Sequence, residues 1–428
     1  MNIEAALESC ARFGVRPGLD PIRAACAEMG DPQETLRVIH VAGTNGKGAV
    51  CALIDSALRA AGFRTGRYTS PHIVNLNERF FLNGAPASDE AIDAAFSAVK
   101  RSGELTYFEL LTATAFELYR REGVDFLILE TGLGGKLDAT NIVKSPAVSV
   151  ITRIGLDHCG LLGNTVAEIA AEKGGIIKQS VPVVLGAMPD ESRVVLERIA
   201  ARCGSRCIHA PSVVSVGETD GTSCAEKGLS AALSSLALGG RFNRENAATA
   251  YAALKTLGVA DDAIQRGFAS VAWPGRYQQI ENGGKRFLVD GAHNPPAMRA
   301  LVDSLKAERT GGTGFPFGGT AICGFCGDKD VAATLEILHE IADAGIAVPI
   351  RNPRSMSPDD VAAMMCKAGF AGVRPCRSVQ EALRAAPDGT LVCGSLFLAG
   401  EALEALGALP AARHGFTPNE SFSRTVAD

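Results

Sequence analysis

The chain has 428 residues, too many for one ordinary core, so two domains, at most three, are expected. With 46% hydrophobic and 21% charged residues, 47 Gly and 20 Pro, and no long biased tract, it has a globular composition. A formal net charge of −5 excludes a general nucleic-acid binder, although a local group of cations can still hold a small anion. Apolar runs of β type alternate with helical patterns over nearly the whole length, the signature of a parallel α/β sheet. The first strand is predicted at Val38–Ala42, followed by a glycine-rich turn and a helix from about Lys47 to Ala61. Further strands are predicted at Arg64–Tyr68, Asp125–Glu130, Val148–Thr152 and Val181–Leu185. Between them, Thr106-Tyr-Phe-Glu109 has the spacing of a capping box opening a helix, and Thr165-Val-Ala-Glu168 repeats it. The Ser- and Gly-rich stretch Ser212–Gly240 breaks the rhythm and reads as a small β excursion. A second α/β series follows Glu281-Asn-Gly-Gly284, which reads as a flexible joint. Its strands are predicted at Phe287–Val289, Thr320–Gly324, Ile346–Ile350 and Thr390–Cys393. Thr310–Gly319 reads as an exposed loop and the last ~15 residues as a loose tail. Two α/β domains, residues 1–283 and 284–428, are expected to meet across a cleft.

The opening residues carry two early Glu and lack a basic start ahead of an apolar stretch, so no signal peptide is read. No apolar run approaches the ~20 residues that span a bilayer, and a cytoplasmic protein without a membrane partner is expected. The 12 Cys then read as reduced structural thiols. Cys323 and Cys326 form an isolated CxxC without the second pair that a zinc site needs.

The strongest local signal is Gly43-Thr44-Asn45-Gly46-Lys47-Gly48, between a strand and a helix. Glycines let backbone N–H groups approach phosphate oxygens, and the helix N-terminus adds a favourable dipole. Lys47 would neutralise the β- and γ-phosphates. A glycine turn that binds nothing is the bland alternative, and the order strand, lysine, helix weighs against it. Position 49 is Ala, where such a loop normally offers Mg²⁺ a Ser or Thr hydroxyl, so other segments must supply metal ligands. Ser70 lies in Tyr-Thr-Ser-Pro-His72, Glu130 ends an apolar strand on the crevice side, and His158 closes Gly-Leu-Asp-His158 after the next strand. A hydroxyl, a carboxylate and an imidazole can hold Mg²⁺ with waters and phosphate oxygens. Taken singly, they read as a turn residue, a solvated acid and a hydrogen-bonded loop histidine. Their succession at strand ends beside a phosphate loop favours the metal.

Taken in order, His40–Gly48, Thr69–His72, Asn77–Arg79, Glu130–Gly135 with Leu137–Asn141, and Ile154–His158 resemble the folylpolyglutamate/dihydrofolate synthases of the Mur-ligase superfamily. The likeness continues through Glu172-Lys173, Lys178, Asn246, Trp273-Pro-Gly-Arg276, Asp290–Pro295, Asp328-Lys-Asp330 and Gly394-Ser395, covering nearly the whole chain. It implies a larger N-terminal P-loop NTPase-like domain with a mostly parallel sheet, and a smaller C-terminal Rossmann-like α/β domain. It places Mg²⁺ on Ser70, Glu130 and His158, and ATP on the loop from Gly43 to Ala49 and on Asn246, Arg276, Asp290 and His293. Lys173 matches the lysine that the family carbamylates with CO₂, which would make it a ligand of a second Mg²⁺. The pterin acid falls on Thr106, Tyr107, Phe108, Glu109 and Leu137, with Pro17–Leu19 a weaker candidate. Lys47, Glu130, His158 and Lys173 would carry the catalysis.

Structural roles compete at several of these positions. Thr106 and Glu109 serve equally well as a capping box alone. Arg276 could form an interdomain salt bridge, Asp290 and His293 could cap the helix after Pro295, and Lys173 could complement a helix dipole. The sequence departs from the family pattern at Ala49, at Lys136 where Arg is common, and at Asn164 where Asp is frequent. The resemblance implies that L-glutamate is joined to dihydropteroate, to reduced folates, or to both, by a monomer that activates the acid with ATP. A superfamily relative acting on a peptidoglycan precursor would need an extra N-terminal domain. Only about 37 residues precede the first strand. A nucleotide-binding regulator without catalysis is supported by Ala49 alone.

Overall fold

The computed structural model describes residues 3, 7, 18–99, 105–211, 224–312 and 314–409. Two sheets organise them. The first has eight strands: β1 (Val38–Ala42), β2 (Thr65–Tyr68), β3 (Phe80–Leu82), β4 (Ala85–Pro86), β5 (Phe126–Glu130), β6 (Val148–Ile151), β7 (Val183–Leu185) and β8 (Cys207–His209). Their order is β4-β3-β2-β5-β1-β6-β7-β8, with every pairing from β2 to β8 parallel and β3 and β4 added antiparallel at one edge. The second sheet holds β9 (Gln278–Asn282), β10 (Lys285–Val289), β11 (Thr320–Cys323), β12 (Ala344–Ala347), β13 (Gly372–Pro375) and β14 (Thr390–Cys393). Its order is β13-β12-β11-β14-β10-β9, parallel except for β9. The α/β class expected from the alternating pattern is what the chain adopts.

The central strands are buried throughout and mostly apolar because helices cover both faces of the sheet. Side chains alternate across it, so Val38, Leu127 and Leu129 enter one core with the helix Tyr107–Glu122. Ile39, Val41, Phe126 and Ile128 enter the opposite core with the helices Lys47–Ala60 and Asp261–Ser270. The second sheet repeats the arrangement: Leu288, Cys323, Leu391 and Cys393 face one core, and Phe287, Val289, Ile322 and Val392 the other.

Four expectations need correction. Residues 224–234, within the stretch read as a β excursion, form the helix Cys224–Ser234, because the stretch carries a run of helix formers that the Ser and Gly content obscured; residues 212–223 lie outside the described residues. Glu281–Gly284 is not a joint: Glu281 and Asn282 end β9, and Gly283 and Gly284, both at positive φ, make the two-residue turn of the β9–β10 hairpin. The helix Pro295–Gly311 runs into the expected loop, and Phe315 and Phe317 beyond it are buried in the second domain's core. The strand predicted at Ile346–Ile350 occupies Ala344–Ala347 instead, closed by a last ladder bond from Val348 N to Cys323 O at 2.9 Å, where β11 itself ends. The C-terminal tail expectation concerns residues outside the described range. Among the described residues no helix is long and apolar enough to cross a membrane.

Both sheets present the carboxyl ends of their central parallel strands to a shared cleft. The segments after β1, β2, β5 and β6 line one side, and those after β10, β11 and β14 line the other. Ligands of open α/β sheets bind at such ends.

Candidate active site

The phosphate loop is shaped by close packing. Gly43 has φ 152°, and a Cβ there would stand 1.8 Å from Thr152 Oγ1. Gly46 lies in the left-handed region at φ 89° and would meet Asn246 Oδ1 at 2.3 Å. Only glycine fits either position. The loop is tied to the segment after β6 by Thr44 N and Asn45 N, which donate to Arg153 O at 2.9 and 3.3 Å, and by Thr152 Oγ1, which donates to Asn45 O at 2.8 Å. Lys47 opens the helix and its Nζ stands 4.0 Å from Glu130 Oε1. Ala49 is buried in that first turn.

Glu130 is 3% exposed at the end of β5. Burial raises its pKa, opposed chiefly by Lys47 and by the N–H of Ser70, which donates to Oε2 at 3.2 Å. His158 is half-buried in a left-handed backbone conformation, φ 51° and ψ 38°, uncommon outside glycine. Burial and Lys329 lower its pKa to about 4, so at pH 7 the imidazole is neutral, the form that ligates metals. Lys173 ends the helix Val166–Lys173 and is 4% exposed; burial, aided by Lys47, lowers its pKa to about 7. This amine points away from a purely dipole-complementing role, since such lysines sit in water.

The second domain contributes Arg276, Asp290 and His293. Asp290 accepts from Tyr277 N and Ala292 N, both at 2.8 Å, and fixes the turn that carries Arg276 into the cleft. Neither Asp290 nor His293 caps the following helix; Asn294 does, its Oδ1 accepting from Ala297 N at 2.9 Å. His293 Nδ1 pairs with Gly291 O at 2.8 Å, and burial pushes its imidazole down to about 4.

Thr106 and Glu109 do form a capping box, with Glu109 Oε2 accepting from Thr106 N at 2.9 Å and from its hydroxyl at 2.8 Å. They nevertheless line the cleft with Tyr107, Phe108 and Leu137. Phe108 lies against Gly132, where a Cβ would come within 2.6 Å of the ring. Leu137 is 50% exposed at the mouth. Of the weaker N-terminal candidates, Gly18 lines the cleft, Leu19 is buried in the core and Pro17 lies outside the described residues. Every other sequence-predicted site residue borders this one cavity of about 500 Å³.

Sequence reasoning gave no role to a polar cluster that joins the two sides. Asp157 accepts from Lys329 Nζ at 3.0 Å and from Asn294 Nδ2 at 2.8 Å, while Asn294 and Asn45 exchange side-chain contacts at 3.4 Å. Burial opposes the charge on Asp157, but Lys329 and the two neighbouring histidines hold its carboxyl well below the usual range. Asp157 and Lys329 stand inside the quoted motifs, yet 172 positions separate them, so no local pattern announces the pair.

Among the described residues no three His, Cys, Asp or Glu side chains converge as a closed metal cage. The open set of Ser70, Glu130 and His158 suits Mg²⁺ better, because that ion keeps waters and takes one or two carboxylates plus phosphate oxygens. A buried carboxylate with one ammonium at 4.0 Å is a site where a further cation is favourable.

A model of the Mur ligase middle domain matches residues 41–254, and one of the Mur ligase glutamate ligase domain matches residues 275–396. The dihydrofolate synthase/folylpolyglutamate synthase of Escherichia coli (strain K12) is 35% identical over 399 residues, covering 91% of this chain and 92% of its own. The chain belongs to the folylpolyglutamate/dihydrofolate synthases of the Mur-ligase superfamily. It is an ATP-dependent glutamate ligase of that family. Among solved members, E. coli FolC in complex with DHPP and ADP superposes with a TM-score of 0.81 at 32% identity, covering 94% of this chain and 96% of that one. A bifunctional folylpolyglutamate synthase/dihydrofolate synthase with Mn, AMPPNP and L-glutamate bound gives 0.77 at 29% identity, covering 95% and 98%. Nucleotide and divalent metal therefore belong to this family's site.

Proposed function

We propose that this synthase joins L-glutamate to a pterin-linked carboxylate (dihydropteroate, reduced folates, or both) and releases ADP and phosphate. The observation that carries the reading is one cleft holding a phosphate loop, buried Glu130 and Lys173, and Arg276 with His293, continuous with an apolar end walled by Phe108, Leu133 and Leu137. A flat aromatic acid fits the apolar end with its carboxylate toward the phosphate loop.

A carboxylate is a poor acyl donor, since its charge repels nucleophiles and oxide is a poor leaving group. Attack of the substrate carboxylate on the γ-phosphate makes an acyl phosphate. Lys47 and Arg276 neutralise the charge that spreads over the transferring group, which is chiefly positioning and electrostatics. The neutral amine of glutamate then attacks the acyl carbon and phosphate leaves. Ser70, Glu130 and His158 would hold one Mg²⁺ and carbamylated Lys173 a second, ions that neutralise polyphosphate charge when bound. Asn246 supports the loop from beneath Gly46. The contacts of Asp157 with Lys329 and Asn294 hold the two sides of the cleft together.

The chain is taken as two domains about the cleft. Pairing of Gln278–Asn282 with Lys285–Val289 supports a junction within residues 273–277 rather than at 283. A monomer is the working unit in this reading. Cys323 and Cys326 are both free thiols, and Cys323 faces Cys393 at 4.0 Å; the cytoplasm, where thiols stay reduced, is the location this reading gives the protein.

A substrate panel tests the reading. Purified protein with Mg·ATP and glutamate is offered dihydropteroate, tetrahydrofolate and a nucleotide-linked muramoyl acid, with products detected by mass. Glutamylated pterin products are expected. Turnover of the muramoyl acid alone would overturn the proposal.

A further inference from the structure

The only Trp of the 428 residues sits where the phosphate loop meets the segment leading to the second domain. Trp273 packs so closely on Gly48 that a Cβ there would stand 2.3 Å from ring atom Cζ2. On another side the indole meets the Arg67 guanidinium, 5.2 Å from the ring centroid. Arg67 is itself buried, lies 3.9 Å from the Phe81 centroid and reaches Asp55 Oδ2 at 3.4 Å. Phe81, Arg67, Trp273 and Gly48 thus form one stack from strand β3 to the first turn of the phosphate-loop helix. A cation between two rings in a desolvated setting is held firmly.

Trp273 also begins the run Trp273-Pro274-Gly275-Arg276. Proline stiffens that run, and Gly275 is fixed at both ends, its N–H donating to Gln278 Oε1 at 3.0 Å and its carbonyl accepting from Gly291 N at 2.9 Å. Arg276 Nη1 donates to the same carbonyl at 3.1 Å. The distance from the phosphate loop to the Arg276 guanidinium is therefore set by a short, stiff strut whose foot is the indole on Gly48.

We propose that Trp273 is a positioning residue that fixes Arg276 relative to the phosphate loop, with the Arg67 stack holding the indole in place. The proposal rests on the reading that Arg276 serves the transferring phosphate. Trp273 touches no reacting atom in this account; it acts through Arg276.

A double-mutant cycle on the full chain separates this role from ordinary packing. Trp273→Ala and the milder Trp273→Leu are each made in the natural chain and in an Arg276→Ala background. Turnover and the KM for ATP are measured, with circular dichroism melts to establish folding. Trp273→Ala should lower kcat by about tenfold or more, because a displacement of the order of 1 Å at a catalytic group costs up to ~100-fold. In the Arg276→Ala background the same change should cost less than about twofold, and Trp273→Phe should restore most of kcat by keeping a ring on Gly48. If Trp273→Ala destabilises the fold, the Leu variant is read in its place. Effects that multiply across the two positions, or a fully active and folded Trp273→Leu, would overturn the proposal. Full activity of Arg276→Ala by itself would remove the reading beneath it, an outcome visible before any Trp273 variant is made.

Discussion

His40 stands in the middle of β1 with no exposure, and burial pushes its imidazole down to about 3. The Thr140 hydroxyl gives its proton to Asp138 Oδ1 at 2.5 Å, so His40 Nε2 must donate to Thr140 Oγ1, which it does at 2.8 Å. Nδ1 is then a bare acceptor with no partner, and a second proton there would find none either. Because the folded pKa lies below the unfolded value of about 6.5, the unfolded chain binds more protons between those two values. The associated stability is full above about pH 6.5 and is lost as pH falls toward 3, by at most about 1.4 kcal/mol per pH unit for one site. His40→Gln keeps the donor to Thr140 and removes the titration. Urea denaturation at pH 7 and pH 5 should therefore show the stability gap between natural chain and variant narrowing by roughly 1–2 kcal/mol at the lower pH. A gap independent of pH would contradict this assignment. Lys173 is a second base lowered by burial, its amine brought down to about 7, which leaves a substantial neutral fraction at neutral pH to add CO₂. Lys173→Ala should lose ligation while melting as a folded protein, and a short-chain carboxylate should partly restore turnover. An alanine variant with full activity would remove the carbamate from the mechanism.

Between elements, backbone approach decides more than side-chain identity. The helix Asp261–Ser270 lies on the phosphate-loop helix at Gly267, where a Cβ would stand 2.4 Å from Ala57 Cα and 2.5 Å from Ala57 N. Ser56 Oγ donates to Gly267 O at 2.7 Å across the same contact. Alanine improves intrinsic helix propensity by up to about 1 kcal/mol, yet here it must push two backbones apart. Gly267→Ala should thus destabilise by about 1–3 kcal/mol net, read from the urea midpoint; an unchanged or raised midpoint would show that the helices can slide. This contact was invisible in the sequence, because a glycine inside a helical pattern carries no sign of what it faces. Local signals were legible where local physics suffices: β1, the phosphate loop and its helix, and the capping boxes at Thr106 and Thr165 all occur where their patterns predict. The hairpin turn at Gly283-Gly284 reads as a joint in the sequence because two glycines permit a tight turn and a joint equally, and only strand pairing distinguishes them.

For the whole molecule, the important fact is that two sheets aim their carboxyl ends at one cleft. Strand-end residues such as Ser70, Glu130 and His158 could be picked out because an α/β sheet sends such positions toward its crevice. The Asp157–Lys329–Asn294 cluster could not, since it exists only once the two domains face each other. The central claim is that this cleft activates a pterin-linked carboxylate with ATP and hands it to glutamate. Isotope transfer tests that claim most directly: dihydropteroate labelled with ¹⁸O in its carboxylate is turned over with Mg·ATP and glutamate, and the released phosphate and the glutamyl product are weighed by mass spectrometry. An acyl phosphate predicts one ¹⁸O in the phosphate for each amide formed. Unlabelled phosphate alongside amide, or ATP hydrolysis without any glutamyl product, would contradict it.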